Sequence, residues 1–157
     1  MSMTLTTTAF TPGDLIPTPY TADGRDLSPP LTFANIPENT RELALICDDP
    51  DAPTPTPWVH WVIYKIPPDI ASLPEGVTNS STLPRPPGTV QGLNSWNTIG
   101  YRGPAPPPGH GLHHYHFVLY ALDTPLDIQP GLDKNALLKA MEGHILVKGE
   151  LVGVYGR

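Results

Sequence analysis

Apolar positions along this chain come in short bursts separated by proline and glycine. The run "ELALICD" (42–48) is bounded by turn signals and predicts a strand buried on both faces. A second burst, "WVHWVIYKI" (58–66), is dense in β-branched and aromatic residues and stops at "PPD", which predicts another strand. "LHHYHFVLYALD" (112–123) predicts a third. Its period-two alternation sends His113, Tyr115, Phe117 and Leu119 to one face and His114, His116, Val118 and Tyr120 to the other. "DKNALLKAMEG" predicts the one convincing helix, with Asp133 as N-cap, an apolar stripe of Leu137, Leu138 and Met141, and Gly143 as stop. "HILVKGELVGVYG" (144–156) returns to strand chemistry, its glycines marking bulges or close backbone approach. Residues 1–31 read as extended segments broken by "TPGD", "TADGRD" and "SPP", with Leu15, Ile16 and Tyr20 as inward anchors. Residues 67–112 read mostly as loop. The pattern predicts a mainly β fold: a two-sheet antiparallel β-sandwich with one short helix near the C-terminus, forming a single domain over 1–157.

Composition refines this picture. The 22 prolines and 14 glycines are spread along the chain, which argues for a loop-rich fold rather than a disordered tail. Charged residues are 15% of the chain against roughly 25% in average soluble domains, so side-chain charge covers little of the surface. A formal net charge of -6 leaves no basic footprint, and nucleic acid is excluded as an expected partner. Cys47 is the only cysteine, so no intrachain disulfide forms and a reducing compartment suits the protein. With no leader-like N-terminus and no apolar stretch of about 18 residues, the expectation is a cytoplasmic protein without an integral membrane segment.

Two stretches carry candidate chemistry. "CDDPDAPTPTPWVHW" (47–61) joins two predicted strands and holds Asp48, Asp49, Asp51 and His60. Asp and Pro are ordinary turn residues, and the bland reading is a strand-ending turn. His60, however, sits among tryptophans and β-branched residues, where a polar ring needs a partner, and an aspartate of the same stretch is a suitable one. A fixed, tight connection before "WVHW" also predicts a cis bond at Thr56–Pro57. The second stretch, "GHGLHHY", places His113 and Tyr115 on one strand face beside a glycine-rich loop, the makings of a small polar-anion pocket; a hydrogen-bonded core pair is the plain alternative. A zinc site lacks tight ligand spacing, and a nucleophilic Cys47–His60–Asp arrangement is opposed by the place of Cys47 in an apolar strand. No nucleotide-type glycine loop and no G-x-S-x-G elbow is present, so neither a cofactor nor catalysis is expected.

"DPDAP", the W-x-H step Trp58–His60, "GYRGPAPPPGHGLHHY" and "DGRDLSPPL", in compatible order and spacing, resemble the phosphatidylethanolamine-binding protein family, which includes the Raf kinase inhibitor-like proteins of bacteria and archaea. The resemblance implies a β-sandwich with an anion pocket near one end. Carried over by position, that pocket comprises Asp49, Asp51, His60, His113 and Tyr115, with the loop through Pro106, Pro107 and Gly109 as one wall. It implies a non-catalytic protein binding a phosphate-containing or other small anion, such as a phospholipid head group or nucleotide-like ligand. The alternative it allows is a protein inhibitor of a serine protease or kinase, and by analogy alone it allows a homodimer. The sequence departs from the family at His114, where an arginine is usual, and at Ala105, where bacterial members often carry cysteine. Of the three acids, Asp48 is expected to be structural only.

Overall fold

The computed structural model describes residues 2–157 and contains two antiparallel sheets. The larger has the order β6-β4-β3-β7-β8, from Val90–Gln91 (β6), Trp58–Ile66 (β4), Glu42–Asp49 (β3), His113–Leu122 (β7) and Ile145–Tyr155 (β8). The smaller has the order β1-β2-β5, from Thr4–Thr6 (β1), Leu31–Ala34 (β2) and Ser72–Leu73 (β5).

Alternation along the strands divides the interior in two. Leu43, Leu45 and Cys47 of β3, Trp61 and Ile63 of β4, and Tyr115, Phe117 and Leu119 of β7 pack against Leu5, Leu31, Phe33 and Leu73 of the small sheet. Ala44, Ile46, Val62, Tyr64 and Tyr120 face the opposite way, onto Leu126, Leu137 and Met141. The large sheet is thus covered on both sides, which is why β3 is apolar at consecutive positions rather than alternate ones. The cover on the second side is the helix α1, Lys134–Met141. Asp133 caps it by accepting from the Ala136 amide at 2.9 Å, and Leu137 and Met141, one turn apart, are fully buried.

Two glycines of β8 and the long loop permit close approach. A Cβ on Gly153 would lie 2.6 Å from Ile16 Cγ1 and 2.7 Å from Phe10 Cε2, so the N-terminal segment packs on bare backbone there. A Cβ on Gly92 would lie 1.9 Å from the Leu132 carbonyl oxygen.

Two expectations are corrected. Leu15 is 60% exposed: it bridges to Val154 in extended conformation, and its neighbour Ile16 takes the inward position. The Thr56–Pro57 bond is trans, and the cis X-Pro bond among the described residues is Arg85–Pro86. The crossing from β3 to β4 is an exposed excursion closed by Asp51 N donating to Asp49 Oδ1 and Thr54 Oγ1 donating to the Thr56 carbonyl, so it does not need a tight cis turn. The 67–112 segment is mostly irregular but contributes the two-residue strands β5 and β6.

Candidate functional site

Strand phase decides which polar residues reach the inter-sheet side at one end of the large sheet. On β3, Asp49 continues the inward series Leu43, Leu45, Cys47, whereas Asp48 points outward and accepts from Lys134 Nζ. On β7, His113 and Tyr115 lie in the inward series that runs through Phe117 and Leu119 to Ala121. On β4 simple alternation would send His60 outward, because Trp61 is inward. The register prevents this: Cys47 pairs with Trp61 and Asp48 with Val59, leaving His60 as an extra, unopposed residue. This bulge puts His60 on the same side as Trp61, where its ring meets Tyr115 edge-on at 5.2 Å and Trp96 at 5.1 Å.

Each of these side chains is held. Asp49 is 3% exposed; its Oδ2 accepts from His113 Nδ1 at 2.7 Å and its Oδ1 from the Asp51 amide at 2.8 Å. His113 Nε2 lies 2.6 Å from His110 Nδ1, and one proton serves that bond. His60 clamps Arg102 twice: its Nδ1 donates to the Arg102 carbonyl at 2.6 Å, and its own carbonyl accepts from the Arg102 amide at 3.0 Å. The next residue, Gly103, donates its amide to Asp26 Oδ1 at 2.7 Å. The "DGRDLSPPL" segment is thereby tied to the loop that carries the proline wall.

Between these groups lies a cavity of about 260 Å³. Asp49, His60, His113 and Tyr115 are its polar lining, Trp58 and Trp96 its aromatic lining, and Ala105, Pro106 and Pro107, with Ala52, Pro53 and Thr54, complete it. The proline wall is strapped from outside: Arg157 Nη1 donates to the Pro106 carbonyl at 3.3 Å while Nη2 donates to Asp23 Oδ1 at 2.8 Å. Gly109 does not line the cavity; its amide donates to the Arg157 carbonyl, at a φ of +74° that suits glycine. Asp51 also lies off the cavity, accepting from the His114 amide at 2.7 Å and from its ring at 2.8 Å. His114 is therefore paired with Asp51 on the surface.

Burial sets the protonation states. It lowers the His60 pKa, more than the Arg102 carbonyl and the aspartates restore, so the ring is neutral at pH 7. It pushes the Tyr115 hydroxyl far up, helped by the Asp49 charge, and that hydroxyl is sealed from solvent with no hydrogen-bond partner. At Asp51, burial is outweighed by the His114 hydrogen bonds, which hold the carboxyl below its usual value. Cys47 does not line the cavity, and burial together with Asp48 and Asp49 raises its thiol well above the ordinary range. No three His, Cys, Asp or Glu side chains among the described residues are grouped to ligate a metal. The exposed Arg102 guanidinium lies 4.9 Å from the centre of the ring of Trp96, a cavity-lining residue, and makes no ion pair with any described residue.

Of the residues singled out from the sequence, Asp49, His60, Pro106, Pro107, His113 and Tyr115 come together, and Asp51 and Gly109 stand just outside. Sequence reading did not find Trp96, Thr54, Arg102 or Asp26. Trp96 lies inside the long loop and carried no periodic signal; Asp26 was visible only as part of a turn.

Known proteins resemble this chain along its whole length. A "UPF0098 protein" of Methanothermobacter thermautotrophicus is 52% identical over 155 residues, covering 99% of each chain. The crystal structure of a phosphatidylethanolamine-binding protein homolog from Chlamydia trachomatis has a TM-score of 0.89 at 39% identity, covering 99% of this chain and 98% of that one. That of Escherichia coli YbcL, described as a new member of the mammalian family, has a TM-score of 0.93 at 28% identity, covering 100% and 99%. The family model described as phosphatidylethanolamine-binding protein matches residues 6–156, and the chain belongs to that family.

Proposed function

We propose that this protein is a non-catalytic binding module whose cavity takes a phosphate-containing or other small anionic group. The observation that carries this reading is the Tyr115 hydroxyl, buried in the cavity wall without a partner. A hydroxyl in that position costs stability, and a small turn of the ring toward the cavity would let an oxygen-rich ligand supply the missing hydrogen bond. The surroundings support it: apolar and aromatic walls with a few convergent polar groups are the usual composition of a small-ligand site. Arg102, stacked on the cavity-lining Trp96, carries positive charge that no described carboxylate pairs. The non-catalytic part of the reading is supported by the buried, protonated state of Cys47, which removes the one thiol from nucleophilic service.

The test is an NMR titration with millimolar phosphoethanolamine. The His60, His113 and Tyr115 signals are expected to shift, and His113→Ala is expected to abolish the response. An unchanged spectrum in the wild-type chain would defeat the reading. Loss of activity of a protease mixed with the protein, undiminished by His113→Ala, would point to an inhibitor acting through another surface.

A further inference from the structure

We propose that residues 104–109 form a lid over the cavity, clamped at the Pro104 end and latched at the Gly109 end by Arg157, which Asp23 holds in place. Asp49, His60, His113 and Tyr115 line the cavity, yet each is 3% exposed or less, so part of the enclosure has to move before a solute reaches them. The strands that carry those four residues are fixed by their ladders. The proline wall is different. Residues 104–108 read Pro-Ala-Pro-Pro-Pro, join no strand and have a single backbone N–H, that of Ala105. The rings fix φ at four of the five positions, so the run moves as a stiff rod with the buried Pro106 on its inner side.

The two ends of the rod are held unequally. At the Pro104 end the Ala22 amide donates to the Pro104 carbonyl at 3.0 Å, the Gly103 amide to Asp26 Oδ1 at 2.7 Å and the Tyr101 hydroxyl to the Tyr20 carbonyl at 2.7 Å. Gly103 is packed so closely that an added Cβ would lie 2.3 Å from the Tyr20 carbonyl oxygen. At the other end the ties run through Arg157. Its Nη1 donates to the Pro106 carbonyl at 3.3 Å, and its own carbonyl accepts from the Gly109 amide at 3.0 Å. Arg157 is in turn fixed by Asp23, to which its Nε donates at 3.1 Å and its Nη2 at 2.8 Å, while the Tyr155 hydroxyl donates to the same carboxylate at 2.7 Å. Asp23 and Arg157 are both exposed, so water and salt compete for their contact. A rod with buried bonds at one end and an exposed ion pair at the other opens at the ion pair. Gly109 and Gly111, with φ of +74° and +82° and open space where a Cβ would stand, supply the slack for that movement. The lid governs access to the cavity and stands whatever the cavity takes.

The experiment compares the full chain with Asp23→Asn, Arg157→Gln and the double variant by NMR. Exchange of the Gly109 amide with water is expected to speed up about fivefold in either single variant, the scale of one exposed ion pair. The double variant is expected to go no further than Arg157→Gln, because both changes act through one contact. The Gly103 amide at the clamped end and the Ile46 amide of β3 are expected to keep their wild-type rates. A small neutral nitroxide in solution is expected to broaden the His60 and Tyr115 ring signals at least about twofold more in the variants, as the open population rises. Unchanged Gly109 exchange in both single variants would overturn the inference. So would faster Gly109 exchange without added broadening of His60 and Tyr115, since Arg157 would then fray while the wall stays shut. Equal acceleration at Ile46 would show general loosening in place of a lid and would overturn it as well. The expected results in a chain whose cavity signals ignore phosphoethanolamine would keep the lid while the anion-pocket reading falls.

Discussion

Replacing Tyr115 by phenylalanine is expected to stabilise the protein while removing ligand response. The Tyr115 ring packs in the core, but its hydroxyl is buried without a partner, and leaving such a group unsatisfied costs about 1–3 kcal/mol. Removing one oxygen forfeits dispersion contacts of about 0.5 kcal/mol. The net gain is about 1 kcal/mol, or about 2–4 °C in Tm for a chain of this size. Tyr64 is the matched control. Its hydroxyl donates to the Gln129 carbonyl and accepts from the Leu132 amide at 3.1 Å, so Tyr64→Phe strands two backbone groups and is expected to cost about 1–3 kcal/mol. Guanidinium denaturation and thermal melting of both variants beside the wild type, with a phosphoethanolamine titration of each, give the comparison. The same chemical change is expected to carry opposite signs at the two positions. A Tyr115→Phe variant destabilised by more than about 0.5 kcal/mol would show that the hydroxyl is satisfied in the free protein, and would refute the reasoning.

Other consequences are testable with similar means. Because burial lowers the His60 pKa below its ordinary 6.5, the unfolded chain takes up that proton first. Stability present above pH 6.5 should thus decline as the pH falls below it, and His60→Gln should flatten the decline in melting temperature against pH. Asp49→Ala removes the acceptor of both His113 and the Asp51 amide, and should cost about 2–3 kcal/mol in denaturant titrations. Gly153→Ala drives a methyl group into Ile16 and Phe10 and should cost about 1–3 kcal/mol, with relief expected from a paired Ile16→Val. Cys47, buried and with a raised thiol pKa, should react with a thiol reagent only in denaturant.

What could be read from the sequence was whatever follows from local periodicity. The β4 range Trp58–Ile66, the inward set His113, Tyr115, Phe117 and Leu119, and the Asp133 cap all follow from patterns a few residues long. What escaped depends on distant partners. Leu15 is outward because Ile16, its neighbour, docks against Gly153, almost the whole chain away. Asp26 matters because it reaches Gly103 across a sequence separation of 77. Trp96 joins the cavity only because the loop folds back, with the Ser95 amide donating to the Val59 carbonyl. The inward aim of His60 arises from a register shift that side-chain pattern alone does not reveal, since in β4 it reads as one more alternating position.

That shift makes the site separable from the scaffold. Val59 belongs to one core and Trp61 to the other, and they would stand on opposite faces as direct neighbours just as well as with a residue between them. Excising His60 is expected to bring β4 into step with Asp48 and Cys47 and to keep each core residue on its own face, at the loss of the two bonds to Arg102. The histidine is an inserted beat in the strand: the phase of the two cores does not depend on it, and the pocket does.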